Sequence, residues 1–343
     1  MKANHKTDVV IIGAGPVGLF AIFECGMMGL SCHVVDALDM IGGQCAALYP
    51  EKPIYDIPAH PKLTGAELIE NLRQQAAPFS PHYHLNQKVE SLTRLENDQR
   101  WLVETEKGLT IDAKAIIIAA GVGAFGPNRP PLEGIELFEG KSVFYYIKSR
   151  QDFANKRIVI AGGGDSAVDW ALSLAELAEH IYFVHRRPKF RAATESVNQL
   201  QALANQGKIE FVIPYQLAAI HGIEGCLSSV VVTDLEGKSR ELKANILLPF
   251  FGLAMNLGSI ANWGLDMDKK HIIVEPSTAA TNISGIYAIG DVATYKGKQK
   301  LILTGFSEAA QAAHSIRELT HPGEVFHFEY STTQGIPEIK QYN

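Results

Sequence analysis

Two glycine turns are the most specific chemical features of this chain. Gly13, Gly15 and Gly18 follow the run DVVII, and Gly162 and Gly164 follow RIVIA; an apolar stretch comes after each. A β-branched run, a glycine turn and an apolar helix together present backbone N–H groups to a pyrophosphate at the positive end of a helix. A Cβ at the turn would hold the phosphates away. One such turn is a weak signal. Here a common offset of 149 residues lays Gly13 on Gly162, Gly15 on Gly164 and Gly18 on Ala167. It also lays Pro16, a favoured first helical residue, on Asp165, with Ser166 next. The chain therefore reads as carrying two dinucleotide sites.

The same offset separates the two ligands. Asp36 ends the strand after the first turn, 18 residues beyond Gly18, where a carboxylate accepts hydrogen bonds from an adenosine ribose. Its counterpart is His185, followed by Arg186, Arg187 and, within HRRPKFR, Arg191. An isolated HRR run is usually a solvated turn. In register with Asp36, it places cations where a 2′-phosphate would lie. The first site is thus expected to take FAD and the second NADPH. Hydride transfer between these rings needs no strong acid or base from the protein, so no catalytic triad is expected.

Around these residues the pattern is α/β. Residues 7–12 and 31–36 read as buried parallel strands flanking a helix over 16–28. A glycine-rich loop over 41–50 approaches the ligand. Thr64 and Glu67 form a capping box before a helix, and residues 88–111 alternate as a small antiparallel meander with a turn at Lys107-Gly108. The second copy repeats this order, with a helix over 194–207, a hairpin around Glu236-Gly237 and a buried strand over 246–252. Residues 283–291 and a helix over 307–319 are too short for a third core. They complete the first sheet, with Asp291 at a strand end placed to bind a ribityl or phosphate-linked hydroxyl. The expected fold class is α/β, with two Rossmann-like dinucleotide-binding domains of the three-layer ββα type, the NADPH domain inserted into the FAD domain. The expected division is 1–121 for the first part of the FAD domain, 122–282 for the NADPH domain and 283–343 for the return. Hinges are expected near residues 121–131 and 279–285.

Composition sets the remaining bounds. Hydrophobic residues at 46% and charged ones at 20% fit a folded globular protein, and 343 residues fit two domains. Net charge −6 gives no general attraction to nucleic acid. No run is long enough to span a membrane, and the short lead into the first strand leaves no room for a signal peptide, so a cytoplasmic protein is expected. Cys25, Cys32, Cys45 and Cys226 are scattered without redox or zinc spacing and read as reduced thiols, with no metal site.

IGGQ at 41–44, GGGDSA at 162–167, HRR at 185–187 and AIGD at 288–291 together resemble the two-domain flavoproteins of the thioredoxin reductase group. The dithiol of the thioredoxin reductases, in the nucleotide domain, and that of their glutathione reductase relatives, just after the first GG loop, are both missing. The region SVFYYIKSRQDF holds no CxxC, and Cys45, just after the first GG loop, has no partner before Cys226. YPEKPIYDIP, GGGDSAVDWAL, HRRPKFRA and KLILTGFSEAA resemble instead the ferredoxin–NADP reductases of the thioredoxin-reductase-like type (type 2). That resemblance implies FAD held by Asp36, Gln44, Tyr49, Val89, Phe125, Asp291 and Thr332. It implies a C-terminal tail over the flavin, in which Phe326, Phe328 or Tyr330 stacks on one face while Tyr49 covers the other; Tyr330 is favoured because it directly precedes Ser331-Thr332, and the alternative is that these aromatics fill a dimer interface. It further implies a homodimer, and a ferredoxin or flavodoxin as partner, for which Lys296, Lys298 and Lys300 offer a local basic patch. An NADPH oxidase or quinone reductase, or a non-catalytic sensor of FAD and NADPH, would use the same two sites. A flavin monooxygenase has no further motif to support it.

Overall fold

The computed structural model describes residues 3–95, 100–123, 126–324 and 335. The chain forms two units, Met1–Phe125 with Met255–Asn343, and Gly126–Ala254.

The first unit opens with β1 (His5–Ile12), α1 (Pro16–Met27) and β2 (Cys32–Val35). The short α2 (Gly43–Ala47) follows, then α3 (Gly65–Ala76), β3 (His82–His84), β4 (Val89–Leu95), β5 (Arg100–Thr105) and β6 (Thr110–Ile118). The sheet order is β3-β2-β1-β6-β5-β4. Strands β3, β2, β1 and β6 run parallel, while β4, β5 and the start of β6 form the antiparallel meander. Parallel strands covered on both sides need apolar side chains in both directions, and β1 supplies them. Val9 and Ile11 pack among Leu19, Ile22 and Cys25 of α1 and Leu68 and Leu72 of α3. Val10 and Ile12 face the opposite layer, with Val89, Trp101 and Val103. The capping box is present at α3. Thr64 Oγ1 accepts from Glu67 N at 3.2 Å, and the Glu67 carboxylate accepts from Thr64 N at 2.7 Å.

The second unit holds β7 (Arg157–Ala161), α4 (Asp165–Leu174), β8 (His180–Val184), α5 (Thr194–Asn205) and β9 (Ile209–Val212). An antiparallel meander follows, β10 (Gln216–Ile223), β11 (Cys226–Thr233) and β12 (Ser239–Lys243), and then β13 (Ile246–Pro249). Its parallel sheet runs β9-β8-β7-β13. Leu132, Ile135 and Phe138 join its core with Val159, Tyr182 and Val230.

The chain then re-enters the first unit through β14 (His271–Ile273), β15 (Ile286–Ala288), β16 (Ala293–Thr294) and α6 (Ile302–Thr320). β15 extends the first sheet in parallel beside β6, pairing Ile286 with Ile116 and Ala288 with Ile118.

Four features differ from the sequence reading. Re-entry falls at Met255 rather than near 283, because Leu257, Ile260, Leu265, Ile272 and Val274 bury against the first unit's sheet. The stretch 279–285 is therefore internal to that unit and is no hinge; Ala279 is 1% exposed, and its carbonyl accepts from Ala288 N. Helix α6 starts at Ile302 rather than 307. Gly305, which reads as loop, lies inside this helix, and glycine is needed there because a Cβ would lie 2.4 Å from Val17 Cγ2. Finally, the glycine-rich loop after β2 contains the helical turn α2. Gly42 and Gly43, both with positive φ, lead into it, and a Cβ on Gly43 would meet Gly15 Cα at 3.0 Å.

Candidate functional site

The two glycine turns are built alike. β1 and β7 end at Ile12 and Ala161, and α1 and α4 begin at Pro16 and Asp165, both at the sequence offset. Gly13 N donates to Val35 O at 2.8 Å, and Gly162 N donates to Val184 O at 3.1 Å. A Cβ on Gly13 would fall 2.4 Å from Ala119 O, and one on Gly162 would fall 2.8 Å from Phe250 O. Each turn is thus clamped by the adjacent strand, and its first glycine admits no side chain. Neither helix has a side-chain N-cap; Gly15 and Gly164 stand there in extended backbone. The first N–H groups of both helices are left for an anionic ligand.

In the first unit, Gly13, Gly15, Pro16, Asp36, Gln44, Tyr49, Val89 and Asp291 line one cavity of about 520 Å³. Gly18 lies behind it, where a Cβ would be 2.0 Å from Gly13 O. Asp36 Oδ2 accepts from Ala14 N at 2.6 Å and Oδ1 from Leu38 N at 2.8 Å. Burial outweighs these donors and raises its pKa. Each oxygen keeps a second lone pair for a hydroxyl. Cys45 also lines the cavity, and its Sγ donates to the Tyr49 hydroxyl at 3.6 Å. Burial pushes this thiol up to about 11 and the Tyr49 phenol higher, so both are protonated at neutral pH. All four cysteines are free, so the cavity has no disulfide. The expected contacts Phe125, Tyr330 and Thr332 lie outside the described residues.

The sequence reading missed several wall residues. Gln87 and Lys88 come from the lead into β4, and Asn256, Leu257 and Ile260 from the re-entry segment. The irregular stretch after Met255 has no periodicity to announce its role. The YKGKQK lysines also differ from expectation, because they do not form one free basic patch. Lys298 is buried in an ion pair with Glu308, while Lys300 lies 2.8 Å from His271 Nε2 and lines the cavity. Lys296 is exposed.

In the second unit the basic residues form a loop folded back on the glycine turn. Arg191 N donates to Gly163 O at 2.7 Å, and Ala193 N donates to Asp165 Oδ1 at 3.0 Å. The His185 ring stacks on Phe190 at 5.4 Å between centroids. It also lies so close to Gly163 that a Cβ there would be 2.2 Å from its Cε1. The middle glycine of GGG, unassigned from sequence, makes room for this ring. Burial first, and then the charges of Arg186, Arg187 and Arg191, lower the pKa of His185. It is therefore a neutral stacking element at pH 7, not one of the cations its register promised. Arg186, Arg187, Arg191 and Ser166 are exposed beside the turn, and Ala167 is fully buried under it.

Among the described residues no group of three or more His, Cys, Asp or Glu side chains is arranged to hold a metal ion, and no helix is long and apolar enough to cross a membrane.

Residues 7–316 match the profile of the pyridine nucleotide-disulphide oxidoreductases. A ferredoxin–NADP reductase of Paramagnetospirillum magneticum is 59% identical over 336 residues, covering 98% of this chain and 99% of that protein. The chain belongs to this family, in its ferredoxin–NADP reductase branch. A ferredoxin–NADP reductase of Rickettsia felis is 60% identical over 331 residues, with 96% and 98% coverage. Among solved structures, the thioredoxin reductase of Lactococcus lactis superposes with TM-score 0.78 at 26% identity, covering 91% of this chain and 98% of that one. The thioredoxin reductase of T. acidophilum gives 0.81 at 23%, with 92% and 99% coverage. The fold is thus that of the thioredoxin reductases, with two Rossmann-like domains.

Proposed function

We propose that the chain is an FAD-dependent reductase that moves electrons between NADPH and a small carrier protein, a ferredoxin or flavodoxin. The observation that carries this reading is the pair of equivalent glycine turns with unlike strand ends, Asp36 at one and Arg186-Arg187 at the other. The names of the relatives support the ferredoxin. The lone protonated Cys45 supports a carrier rather than a dithiol as acceptor. The family likeness also supports a homodimer.

The first cavity fits FAD on its own terms: a turn whose first glycine excludes a Cβ, an uncapped helix N-terminus and a carboxylate with free lone pairs line a single space. Bound FAD would supply the redox chemistry, taking a hydride from NADPH and releasing electrons one at a time. The chain's own residues do the rest. Gly13, Gly15 and the start of α1 at Pro16 hold the pyrophosphate, with Gly18 allowing the helix its close approach. Asp36 takes the adenosine ribose, Asp291 faces the ribityl-phosphate portion, and Gln44, Tyr49 and Val89 form walls. Cys45 holds the Tyr49 hydroxyl and so fixes a ring that would cover one flavin face. By the family resemblance Phe125 and Thr332 would complete the contacts, and Tyr330 would cover the other face. In the second unit, Gly162, Gly164, Ser166 and Ala167 form the NADPH pyrophosphate turn. Asp165 and His185 anchor the basic loop, and Arg186, Arg187 and Arg191 meet the 2′-phosphate.

The purified protein should bleach anaerobically with NADPH and regain its colour when oxidised ferredoxin or flavodoxin is added. The Arg186→Ala/Arg187→Ala variant should lose about tenfold or more of the preference for NADPH over NADH. Failure to bleach overturns the reading. Reoxidation by a quinone but by neither carrier makes the protein a quinone reductase instead.

A further inference from the structure

One lysine of the YKGKQK motif has a task inside the fold. The Lys298 side chain is 5% exposed, and its ammonium is paired with the Glu308 carboxylate of α6, which is 2% exposed. Glu308 Oε1 also accepts from the Tyr295 hydroxyl at 2.8 Å, and Oε2 accepts from the backbone N–H of Gly290 at 2.7 Å. One carboxylate thus joins helix α6, the loop after β16 and the turn that ends β15. A buried ion pair is a poor source of stability, because desolvation of both charges offsets their attraction. What the arrangement gains is position.

The position concerned is the edge of the cavity. Gly290 has φ +73°, and Asp291, the next residue, lines the cavity. Gly305 lets α6 come close to this turn, since a Cβ there would be 3.3 Å from Gly290 Cα. Packing therefore sets how near α6 lies, and the hydrogen bond from Gly290 N–H sets how its peptide is turned. We propose that Glu308 is a positioning residue whose carboxylate, flanked by Lys298 and Tyr295, fixes the Gly290 peptide and so aims Asp291 at the dinucleotide. The inference rests on reading this cavity as the FAD site.

The test uses deflavinated protein titrated with FAD by flavin fluorescence, followed by the flavin midpoint potential of the reconstituted protein. Glu308→Gln keeps an acceptor but leaves the Lys298 ammonium without its counter-charge, and should raise the FAD dissociation constant about tenfold. The Lys298→Met/Glu308→Leu variant replaces the pair with apolar groups of similar volume, so that neither charge is left buried without its partner. Because it offers the Gly290 N–H no acceptor, it should still bind FAD about tenfold more weakly, with a shifted midpoint potential. If Glu308→Gln does not fold, the double variant carries the test. Wild-type affinity and potential in the double variant would reduce the pair to packing and overturn the proposal. Wild-type protein that takes up no FAD would overturn the cavity reading itself.

Discussion

Gly18→Ala tests the repeat where its two copies differ, because the second copy carries Ala167 at this position. A Cβ on Gly18 would sit 2.0 Å from the Gly13 carbonyl oxygen and 3.1 Å from its carbon. These are backbone atoms in a turn already clamped against Ala119, so the helix has to move. Reaching ordinary contact requires roughly 1 Å or more. α1 is not free to make that shift, since Leu19, Ile22 and Cys25 are at most 1% exposed in the core beneath the sheet. Overpacking costs about 1–3 kcal/mol, and an obstruction by the Gly13 main chain, which has no rotamer to swing aside, puts Gly18→Ala near 3 kcal/mol. Ala167→Gly relieves no clash. It removes one buried methyl and favourable helix propensity, for a loss of about 1–2 kcal/mol. Urea unfolding of both variants, with and without FAD, reads these values, and flavin content tells which unit suffers. Gly18→Ala should lose FAD while keeping affinity for an NADP matrix. A Gly18→Ala protein within about 1 kcal/mol of wild type and fully loaded with flavin would show that α1 has room to spare, which refutes the close-approach argument.

Asp36→Asn puts an amide NH₂ against one of the two backbone donors, Ala14 N or Leu38 N. Losing a charge-assisted bond there should raise the FAD dissociation constant by about tenfold or more in a fluorescence titration, and unchanged affinity would remove Asp36 from the site. His33 lies among His5, His82 and His84, with ring centroids 5.1, 4.7 and 5.1 Å away. Burial, and then these neighbouring imidazoles, lower its pKa from 6.5 to about 4. The unfolded chain therefore binds the proton first, and stability present above pH 6.5 is lost as pH falls toward 4. Allowing for solvent screening, the loss is about 1 kcal/mol between pH 7 and 5. His33→Gln should flatten the urea midpoint over that range, and an unchanged pH dependence would show that the cluster does not govern it.

The glycine turns were legible because the motif repeats, with glycines at one spacing after a β-branched run in both copies, even though the carbonyls that exclude a Cβ at Gly13 and Gly162 come from the distant Ala119 and Phe250. The shared offset then made Asp36 and the HRR run informative, since both follow the last residue of the second strand in their unit. Contacts between distant segments were not legible. Leu257, Ile260 and Leu265 bury against a sheet formed more than a hundred residues earlier, and their stretch lacks the period of a helix or strand. Gly305 read as a loop because its partner, Val17, lies on another helix. Lys298 and His185 show the same limit for charge. Composition records a base, but Glu308 in one case and the Gly163 backbone with Phe190 in the other decide what it does.

The early re-entry at Met255 sets an order of assembly on the ribosome. The inserted unit is continuous, Gly126–Ala254, so its whole sequence has been made before the segment that returns to the first unit. The cavity in that first unit draws on residues from Ile12 to Ile302, including Asn256 and Asp291. Its wall cannot close until synthesis has reached the start of α6. Nascent chains halted before residue 290 should therefore hold a folded inserted unit beside a first unit unable to retain its ligand. A ligand held by this cavity would therefore be captured only after the whole inserted unit has been made.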